Sequence, residues 1–263
     1  MRKYHGTLIH RSRDEHGTLE IVDDIMTRSL HFGNFIRQSA MVHHHPDHLA
    51  LAYTCAMMSC LRFQPAPARV LLIGLGGGSL AKFLLRHFPE CEVHAVEHRA
   101  AVAKLAYGYF QLPDVARLHV HIADAGQFIQ TAAGEPFDLI LLDAYDERGM
   151  ATGMDEPAFL EACRQRLAPQ GLLVANLWGR ERARYKHTLA NLQRCFGAPP
   201  LQLPSEGTTN VITLSARHAL SNPGSHALPP PLLRLEERTG LQLGKLARRL
   251  HRRNRPWWAR LLR

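Results

Sequence analysis

Hydrophobic and polar positions follow two different patterns along the chain. Near the start, segments 18–21 and 29–32 alternate polar with apolar side chains, which is the period of a half-buried strand. Turn-forming residues such as Gly33 separate these segments. The pattern predicts a small antiparallel β-domain over residues 1–45.

From residue 69 onward, uninterrupted apolar segments alternate with segments of helical character. The segments that read as strands are 70–73, 93–96, 118–122, 137–142, 171–176 and 210–215. Uninterrupted apolar strands with helices between them are typical of a parallel sheet covered on both faces. We therefore predict an α/β, doubly wound, mostly parallel sheet over residues 46–217, in which residues 46–67 form a leading helix capped by Asp47 and a linker.

The C-terminal part, residues 218–263, has a different composition. It begins with proline-rich segments, and residues 241–250 are basic and weakly amphipathic. Residues 234–263 carry 10 Lys and Arg against 2 Glu, so they account for +8 of the net charge of +9. The rest of the chain is nearly neutral, which argues against a general nucleic-acid-binding surface. We predict a Pro-rich basic tail, solvated or loosely docked, that can contact an anionic surface of lipid or nucleic acid.

The composition indicates a globular protein, with 46% hydrophobic and 21% charged residues. No apolar run follows the N-terminus, and the longest apolar segment, 49–61, is too short to cross a bilayer. The five cysteines are scattered, odd in number and without a C-x-x-C pair, which is typical of reduced thiols. We expect a soluble, cytoplasmic protein without a signal peptide or transmembrane segment.

One histidine cluster has the composition of a metal site. His43, His44, His45 and His48 lie close together in the sequence, but no acidic cluster with ligand spacing accompanies them. A partly exposed entry to a helix explains the histidines better. We expect no metal.

A glycine-rich segment, 73–79, lies between a predicted strand and a predicted helix. Its glycines are Gly74, Gly76, Gly77 and Gly78. Glycines allow a ligand close to the backbone, and the helix N-terminus offers free N–H groups. Glu97 ends the next strand, where a carboxylate can accept both hydroxyls of a ribose. Because Ser79 replaces the third glycine of the dinucleotide fingerprint, a mononucleoside cofactor fits better than NAD.

Two further acids close predicted strands. Asp124, followed by Ala125, can accept from the exocyclic amine of adenine, and Asp143 lies at the carboxyl edge of the sheet, where ligands bind in open α/β folds. If the cofactor is a sulfonium, it carries its own leaving group, and displacement needs a neutral, in-line amine rather than a metal. A carboxylate beside that amine can accept its proton, and Asp143 is the candidate.

These features resemble those of the spermidine synthases and their spermidine-synthase-like relatives, a branch of the methyltransferase-type, Rossmann-like fold. The resemblance is carried by the N-terminal β-domain, the glycine run, Glu97, Asp124-Ala125 and the segment Asp143-Ala144-Tyr145-Asp146. It implies polyamine biosynthesis, with decarboxylated S-adenosylmethionine or S-adenosylmethionine as co-substrate and a small-molecule amine or other small acceptor. It also implies a homodimer.

The resemblance extends to individual residues. It implies that the four glycines, Glu97, Asp124 and Ala125 bind the cofactor and that Asp143 assists deprotonation of the attacking amine. Asp146 then helps to hold the substrate. Gln38, Tyr145 and Trp178 are candidate substrate-binding residues, Gln38 as the counterpart of the glutamine in the family's β-domain.

The chain departs from the family pattern at three places. Gly77 replaces the acid that pairs with the ammonium of the decarboxylated cofactor, Tyr53-Thr54-Cys55 lacks the acid of the Y-x-E pattern, and Glu147 replaces a proline. An acid at position 77 would repel the carboxylate of intact S-adenosylmethionine, so its loss leaves room for that cofactor.

Three functions therefore remain open at this point. The leading expectation is aminopropyl transfer from decarboxylated S-adenosylmethionine to an amine. The alternatives are an S-adenosylmethionine-dependent methyltransferase acting on an unknown small acceptor and a non-catalytic binding protein with a basic tail.

Overall fold

The N-terminal part of the chain is a four-stranded antiparallel sheet, as predicted. The computed structural model describes residues 4–131, 134–146, 149–218, 220 and 227–255. The strands, in the spatial order β1-β2-β3-β4, are β1 (Thr7–Asp14), β2 (Gly17–Asp23), β3 (Thr27–His31) and β4 (Arg37–Val42). Consecutive residues of β2, β3 and β4 are buried, so both faces of these strands are covered, whereas the edge strand β1 is largely exposed.

The larger sheet has seven strands and is mostly parallel, which confirms the predicted fold class. Its strands are β5 (Arg69–Ile73), β6 (Glu92–Glu97), β7 (Leu118–Ile122), β8 (Phe137–Leu142), β9 (Leu167–Trp178), β10 (Leu201–Pro204) and β11 (Asn210–Ala216). They lie in the order β10-β11-β9-β8-β5-β6-β7. Strands β7, β6, β5, β8 and β9 are parallel, β11 runs antiparallel to β9, and β10 runs antiparallel to β11. The short edge strand β10 is an addition to the predicted set.

Helices cover both faces of this sheet. They are α1 (Ala52–Met57), α2 (Ser79–His87), α3 (Ala100–Tyr109), α4 (Ala125–Thr131), α5 (Pro157–Arg166), α6 (Arg182–Phe196), α7 (Pro230–Thr239) and α8 (Leu243–Arg253). Alternate residues of β5 point into two separate hydrophobic cores, Val70 and Leu72 into one and Leu71 and Ile73 into the other. Both cores need apolar side chains, which explains why the strands are uninterruptedly apolar.

The small sheet packs on the larger domain through α3. Leu19, Ile21 and Leu30 form a buried cluster with Leu105 and Phe110. An ion pair between the Arg99 guanidinium and the Asp14 carboxylate, 2.7 Å apart, joins the same two parts of the chain. The small sheet therefore lies beside the end of the glycine-rich segment.

The leading helix is shorter than the sequence predicts. It begins after Leu51, and a 3-10 helix, Met58–Arg62, continues it. Asp47 does not cap it, because the Asp47 carboxylate lies 3.1 Å from Nε2 of His87. The prediction of an Asp47 cap is therefore wrong.

The prediction of a solvated or loosely docked tail is wrong for α7 and α8. Their leucines are buried in the core on one side of the large sheet; they are Leu232, Leu235, Leu243, Leu246 and Leu250. In α8 the leucines recur at helical spacing, so one stripe faces the core while basic side chains cover the opposite face. Residues 219, 221–226 and 256–263 of the predicted tail lie outside the described residues.

The sequence predicted reduced cysteines and no transmembrane segment. All five cysteines lie in described segments, and each is a free thiol. In the described ranges, no helix has the length and apolar character that crossing a bilayer requires.

The docking of α8 predicts a stability effect. Leu250 has no exposed side-chain surface, so Leu250→Ala should lower the free energy of unfolding by about 2–5 kcal/mol. Leu233 on α7 is 45% exposed and provides the control, since Leu233→Ala should change stability by no more than about 0.5 kcal/mol. Urea denaturation of the two variants measures the difference, and equal values would contradict the docked arrangement.

Candidate active site

The carboxyl ends of the parallel strands form the floor of a cavity of about 570 Å³. This is the edge at which open α/β sheets bind ligands. Residues of β4 and α1 close the opposite side. Of the residues predicted from the sequence, those that line the cavity are Gln38, Gly74, Gly76, Glu97, Asp124, Ala125, Asp143, Tyr145, Asp146 and Trp178.

Gly74 lies where the glycine-rich loop touches the loop after β8. Its φ of +97° is in the region that favours glycine, and a Cβ built there would lie 2.3 Å from the backbone oxygen of Asp143. Its N–H donates to the carbonyl of Val96 at 2.9 Å. Only glycine can occupy this position without separating the two loops.

Gly77 and Gly78 do not line the cavity. A Cβ at Gly77 would lie 2.8 Å from Cδ1 of Phe110 and 2.9 Å from Oγ of Ser39, and one at Gly78 would lie 2.5 Å from Cδ1 of Leu112. These two glycines therefore allow the loop to pack against the neighbouring chain. The structure shows no space for an acidic side chain at position 77 unless Phe110 moves.

Glu97 holds the glycine-rich loop and also faces the cavity. One carboxylate oxygen accepts the N–H of Leu75 at 3.1 Å, and the other accepts the N–H of Arg99 at 2.9 Å. The residue is only 8% exposed. Each carboxylate oxygen has a second lone pair, so the group can still accept hydroxyl donors from the cavity.

Asp124 and Ala125 stand at the start of α4. Oδ1 of Asp124 accepts the N–H of Gln127 at 2.9 Å, so the side chain caps this helix. Asp124 is exposed toward the cavity mouth. Capping and ligand binding are compatible, because the cap uses one lone pair of one oxygen.

Asp143 is the central ionisable group of the cavity. Removal from bulk water raises the pKa of its carboxyl from 3.8 to about 6, while hydrogen bonds from Asn176 and Tyr53 act in the opposite direction. Nδ2 of Asn176 donates to Oδ1 of Asp143 at 2.8 Å. Burial and the nearby Asp143 charge raise the pKa of Tyr53 well above its usual value, so the phenol keeps its proton. A carboxylate with such a pKa is ionised at neutral pH and can still accept a proton.

Tyr145 and Trp178 form an aromatic wall beside Asp143. Their rings are 5.2 Å apart at an angle of 29°, and the Tyr145 hydroxyl donates to the backbone oxygen of Asn176 at 2.6 Å. The guanidinium carbon of Arg180 lies 4.6 Å from the Trp178 ring centroid. Stacked aromatic faces of this kind attract cationic groups.

Asp146 lies on the exposed side of this wall. Its Oδ1 accepts the N–H of Gly149 at 3.0 Å, and the N–H of Asp146 donates to the Gly149 oxygen at 2.9 Å. These bonds hold the Asp146 carboxylate at the cavity edge. The loop after β8 thus presents one half-buried acid and one exposed acid.

Gln38 contributes an amide from the small sheet. Its Nε2 is buried and has no hydrogen-bond partner among the described residues, although it belongs to a cavity-lining side chain. Its backbone oxygen lies 3.3 Å from the Tyr53 hydroxyl, so it and the Asp143 carboxylate are alternative acceptors for the one phenol proton. A buried amide without a partner is costly, and a bound ligand would remove that cost.

Asn176 was not among the site residues predicted from the sequence, and no role was predicted for Tyr53. Asn176 is a polar residue in the apolar run of β9, and its place beside the end of β8 was the signal that could have identified it. Tyr53 entered the prediction only as the tyrosine of the Y-x-E pattern, in which the acid, two residues later, is missing. That position, Cys55, faces a second cavity instead of the one that contains Asp143.

The chain matches a protein-family model and curated relatives over most of its length. The Spermine/spermidine synthase domain model matches residues 51–193. The polyamine aminopropyltransferase of Chromobacterium violaceum is 32% identical over 245 residues, covering 93% of this chain and 93% of the relative.

Two solved structures share the architecture. A probable spermidine synthase from Corynebacterium glutamicum has a TM-score of 0.71 at 20% identity, covering 83% of this chain and 84% of its own; this likeness supports the fold alone. Human methyltransferase-like protein 13, solved in complex with SAH, has a TM-score of 0.54 at 27% identity, covering 78% of this chain and 91% of its own.

The raised pKa of Asp143 predicts a pH-dependent effect on stability. A carboxyl whose folded pKa exceeds its unfolded value destabilises the fold above the folded pKa and has no such effect below the unfolded pKa. Asp143→Asn should therefore raise the free energy of unfolding by up to about 3 kcal/mol at pH 7, and the gain should vanish below about pH 4.

Thermal denaturation at pH values from about 3 to about 8, in steps of about one unit, measures this gain. Asp114→Asn, at an exposed position, is the control and should change stability little. A gain for Asp143→Asn that is independent of pH would contradict the assignment.

Proposed function

Because the chain belongs to the spermine/spermidine synthase family, we propose that it transfers an aminopropyl group from decarboxylated S-adenosylmethionine to the amine of a small molecule. The observation that carries this proposal is the half-buried Asp143, whose pKa is about 6, beside the loop of Gly74. This arrangement combines a mononucleoside site with a proton acceptor at one strand edge.

The reaction needs only a nucleophile, a leaving group and a base. The lone pair of the neutral amine attacks the methylene carbon attached to the sulfonium, a new C–N bond forms, and the C–S bond breaks. The bonding electrons neutralise the sulfur, which leaves as a thioether. The proton released from the alkylated nitrogen passes to the Asp143 carboxylate, which Asn176 orients.

The cofactor end of the cavity is assigned to the β5–β7 side. Glu97 accepts the ribose hydroxyls with lone pairs that its backbone hydrogen bonds leave available, and Asp124 accepts from the adenine amine. Gly76 lines the cavity with a φ of +54°, so the chain approaches the ligand there without a side chain.

The acceptor end is assigned to the aromatic wall. Tyr145 and Trp178 bind the alkyl part and cationic end of the amine, and Asp146 supplies a carboxylate at the mouth. The buried Nε2 of Gln38 donates to a polar atom of the bound ligand.

Methyl transfer from intact S-adenosylmethionine is the second candidate. It is favoured by Gly77, where Phe110 and Ser39 occupy the space of an acidic side chain. Arg37 at the cavity wall also favours it: its Nη2 lies 3.4 Å from Oδ2 of Asp24, and its other N–H groups can donate to a ligand carboxylate. The structural likeness to a methyltransferase-like protein solved with SAH is consistent with it. The two candidates share the same cofactor half-site and differ in what the donor carries.

A homodimer is part of the proposal. Exposed large apolar side chains are concentrated in the small N-terminal domain; they are Leu8, Ile9, Ile25, Met26 and Phe35. Ile25 is 95% exposed and Phe35 is 79% exposed. Exposed apolar side chains of this size are typical of surfaces that a partner covers. We assign the dimer contact to this part of the chain. We also propose that the protein is cytoplasmic.

Loss of the proton acceptor should abolish transfer but not binding. In Asp143→Asn the amide keeps the oxygen that accepts from Asn176, so the cavity should retain its shape. We expect the turnover number to fall at least about 100-fold while the affinity for the decarboxylated cofactor changes little. Asp114→Asn serves as the matched control, and unchanged turnover in Asp143→Asn would remove Asp143 from the mechanism.

Loss of the Glu97 charge should weaken nucleoside binding. Glu97→Gln replaces an acceptor with a donor that faces backbone N–H groups, so cofactor binding should weaken by about 1–3 kcal/mol. Calorimetric titration with the cofactor measures the loss, and the exposed Glu90→Gln should bind normally. Equal affinities of the two variants would contradict the cofactor placement.

The proposed dimer contact can be tested by substituting an aspartate for an exposed apolar residue of the contact. Ile25→Asp and Phe35→Asp should shift the protein from dimer to monomer in sedimentation velocity, because each places a carboxylate in an apolar contact. Val115→Asp, which changes an exposed apolar residue outside the small domain, should remain dimeric. A monomeric unmodified protein, or dimers in all three variants, would contradict the assignment.

A further inference from the structure

Two neighbouring strands place four ionisable side chains on one face of the large sheet, away from the cavity that contains Asp143. In the parallel register of β6 and β7, His94 pairs with His119. Glu92 precedes His94 by two residues and His121 follows His119 by two residues, so all four side chains share a face. The sequence patterns Glu-x-His and His-x-His therefore become one compact cluster.

The distances within this cluster are those of a metal-binding site. Oε1 of Glu92 lies 3.3 Å from Nε2 of His94 and 2.9 Å from Nε2 of His119, and all three atoms lie within 4.8 Å of one another. The two imidazoles stack with centroids 4.7 Å apart. Ligand atoms about 2.0–2.2 Å from a tetrahedral zinc ion are about 3.4 Å from each other. An ion fits this triangle with only small side-chain adjustments.

We propose that Glu92, His94 and His119 form a binding site for a divalent transition metal of the zinc class. Two imidazoles and one carboxylate are a donor set that such ions prefer. Three protein ligands leave a fourth position for water. The exposed fractions of 35% for Glu92 and 40% for His119 give an ion access from solvent, whereas His94 is only 12% exposed.

The neighbouring residues orient the ligands as they do in metal sites. Nδ1 of His94 lies 3.2 Å from Nε2 of His121, and with the proton on Nδ1 this contact leaves the lone pair of Nε2 available. That Nε2 atom is buried and has no hydrogen-bond partner among the described residues. Arg69 donates to the other Glu92 oxygen at 2.5 Å, which turns Oε1 toward the histidines.

The site is separate from the proposed transfer chemistry. His94 precedes Glu97 by three residues on the same strand, a distance of about 10 Å. An ion there would join the edge strand β7 to β6 without touching the sulfonium or the amine. Its expected role is to stabilise β6, which ends in Glu97, and β7, which ends two residues before Asp124.

This cluster is not the one that the sequence suggested. The run His43–His45 with His48 forms no group of three metal-binding side chains in the part of the chain that the structure describes, whereas Glu92, His94 and His119 do. The candidate metal ligands are therefore brought together by the pairing of two parallel strands, and not by closeness in the sequence.

The test uses the full chain without a histidine tag. Calorimetric titration with Zn²⁺ should give one site per chain, and Co²⁺ should give the visible absorption of a tetrahedral site. His119→Gln should weaken Zn²⁺ binding at least about tenfold, and His121→Gln about tenfold through the orientation of His94. His44→Gln, an exposed residue of the other histidine cluster, should bind as the unmodified protein does.

Thermal denaturation without metal controls for folding. His119→Gln should unfold at the temperature of the unmodified protein without Zn²⁺ and should lose the increase that Zn²⁺ produces in the unmodified protein. The proposal is overturned if no stoichiometric binding is found, if His119→Gln binds normally, or if His44→Gln is the variant that loses binding.

Discussion

The close approach of two strand ends is the constraint on which the rest of the site depends. Strands β5 and β8 are neighbours, the N–H of Asp143 donates to the oxygen of Ile73 at 2.9 Å, and the Gly74 backbone passes so near Asp143 that no Cβ fits between them. The glycine-rich loop and the segment that carries the Asp143 carboxylate are therefore held together by one contact. Chemistry that needs an in-line approach benefits from such fixed geometry.

At Asp143 the burial that suits the proposed proton transfer lowers the free energy of unfolding. The surroundings that make its carboxyl a better proton acceptor also raise its pKa, so the ionised form costs folding free energy. Asn176 recovers part of that cost with a hydrogen bond, and it is itself held by Asn210, whose Nδ2 donates to Oδ1 of Asn176 at 2.8 Å. The antiparallel strand β11 thus supports the site although it contributes no acid.

The parallel sheet and its strand-end acids could be predicted because continuous apolar runs and the residues after them are local signals. The docking of α8 could not be predicted from the sequence. Its leucines are spaced among arginines, and this spacing is only weakly amphipathic unless the core that the leucines contact is known. Tyr53 and Asn176 approach Asp143 from separate elements. The same limit applies to His94 and His119, which only the register of two parallel strands brings together.

Aminopropyl transfer from the decarboxylated donor is the central claim. Family membership supports it, whereas Gly77 and Arg37 favour intact S-adenosylmethionine. Side-by-side calorimetric titration of the full chain with both compounds tests it most directly. The account predicts tighter binding of the decarboxylated form. Tighter binding of the intact form would contradict aminopropyl transfer and favour methyl transfer, and binding of neither would contradict the placement of the cofactor in this cavity.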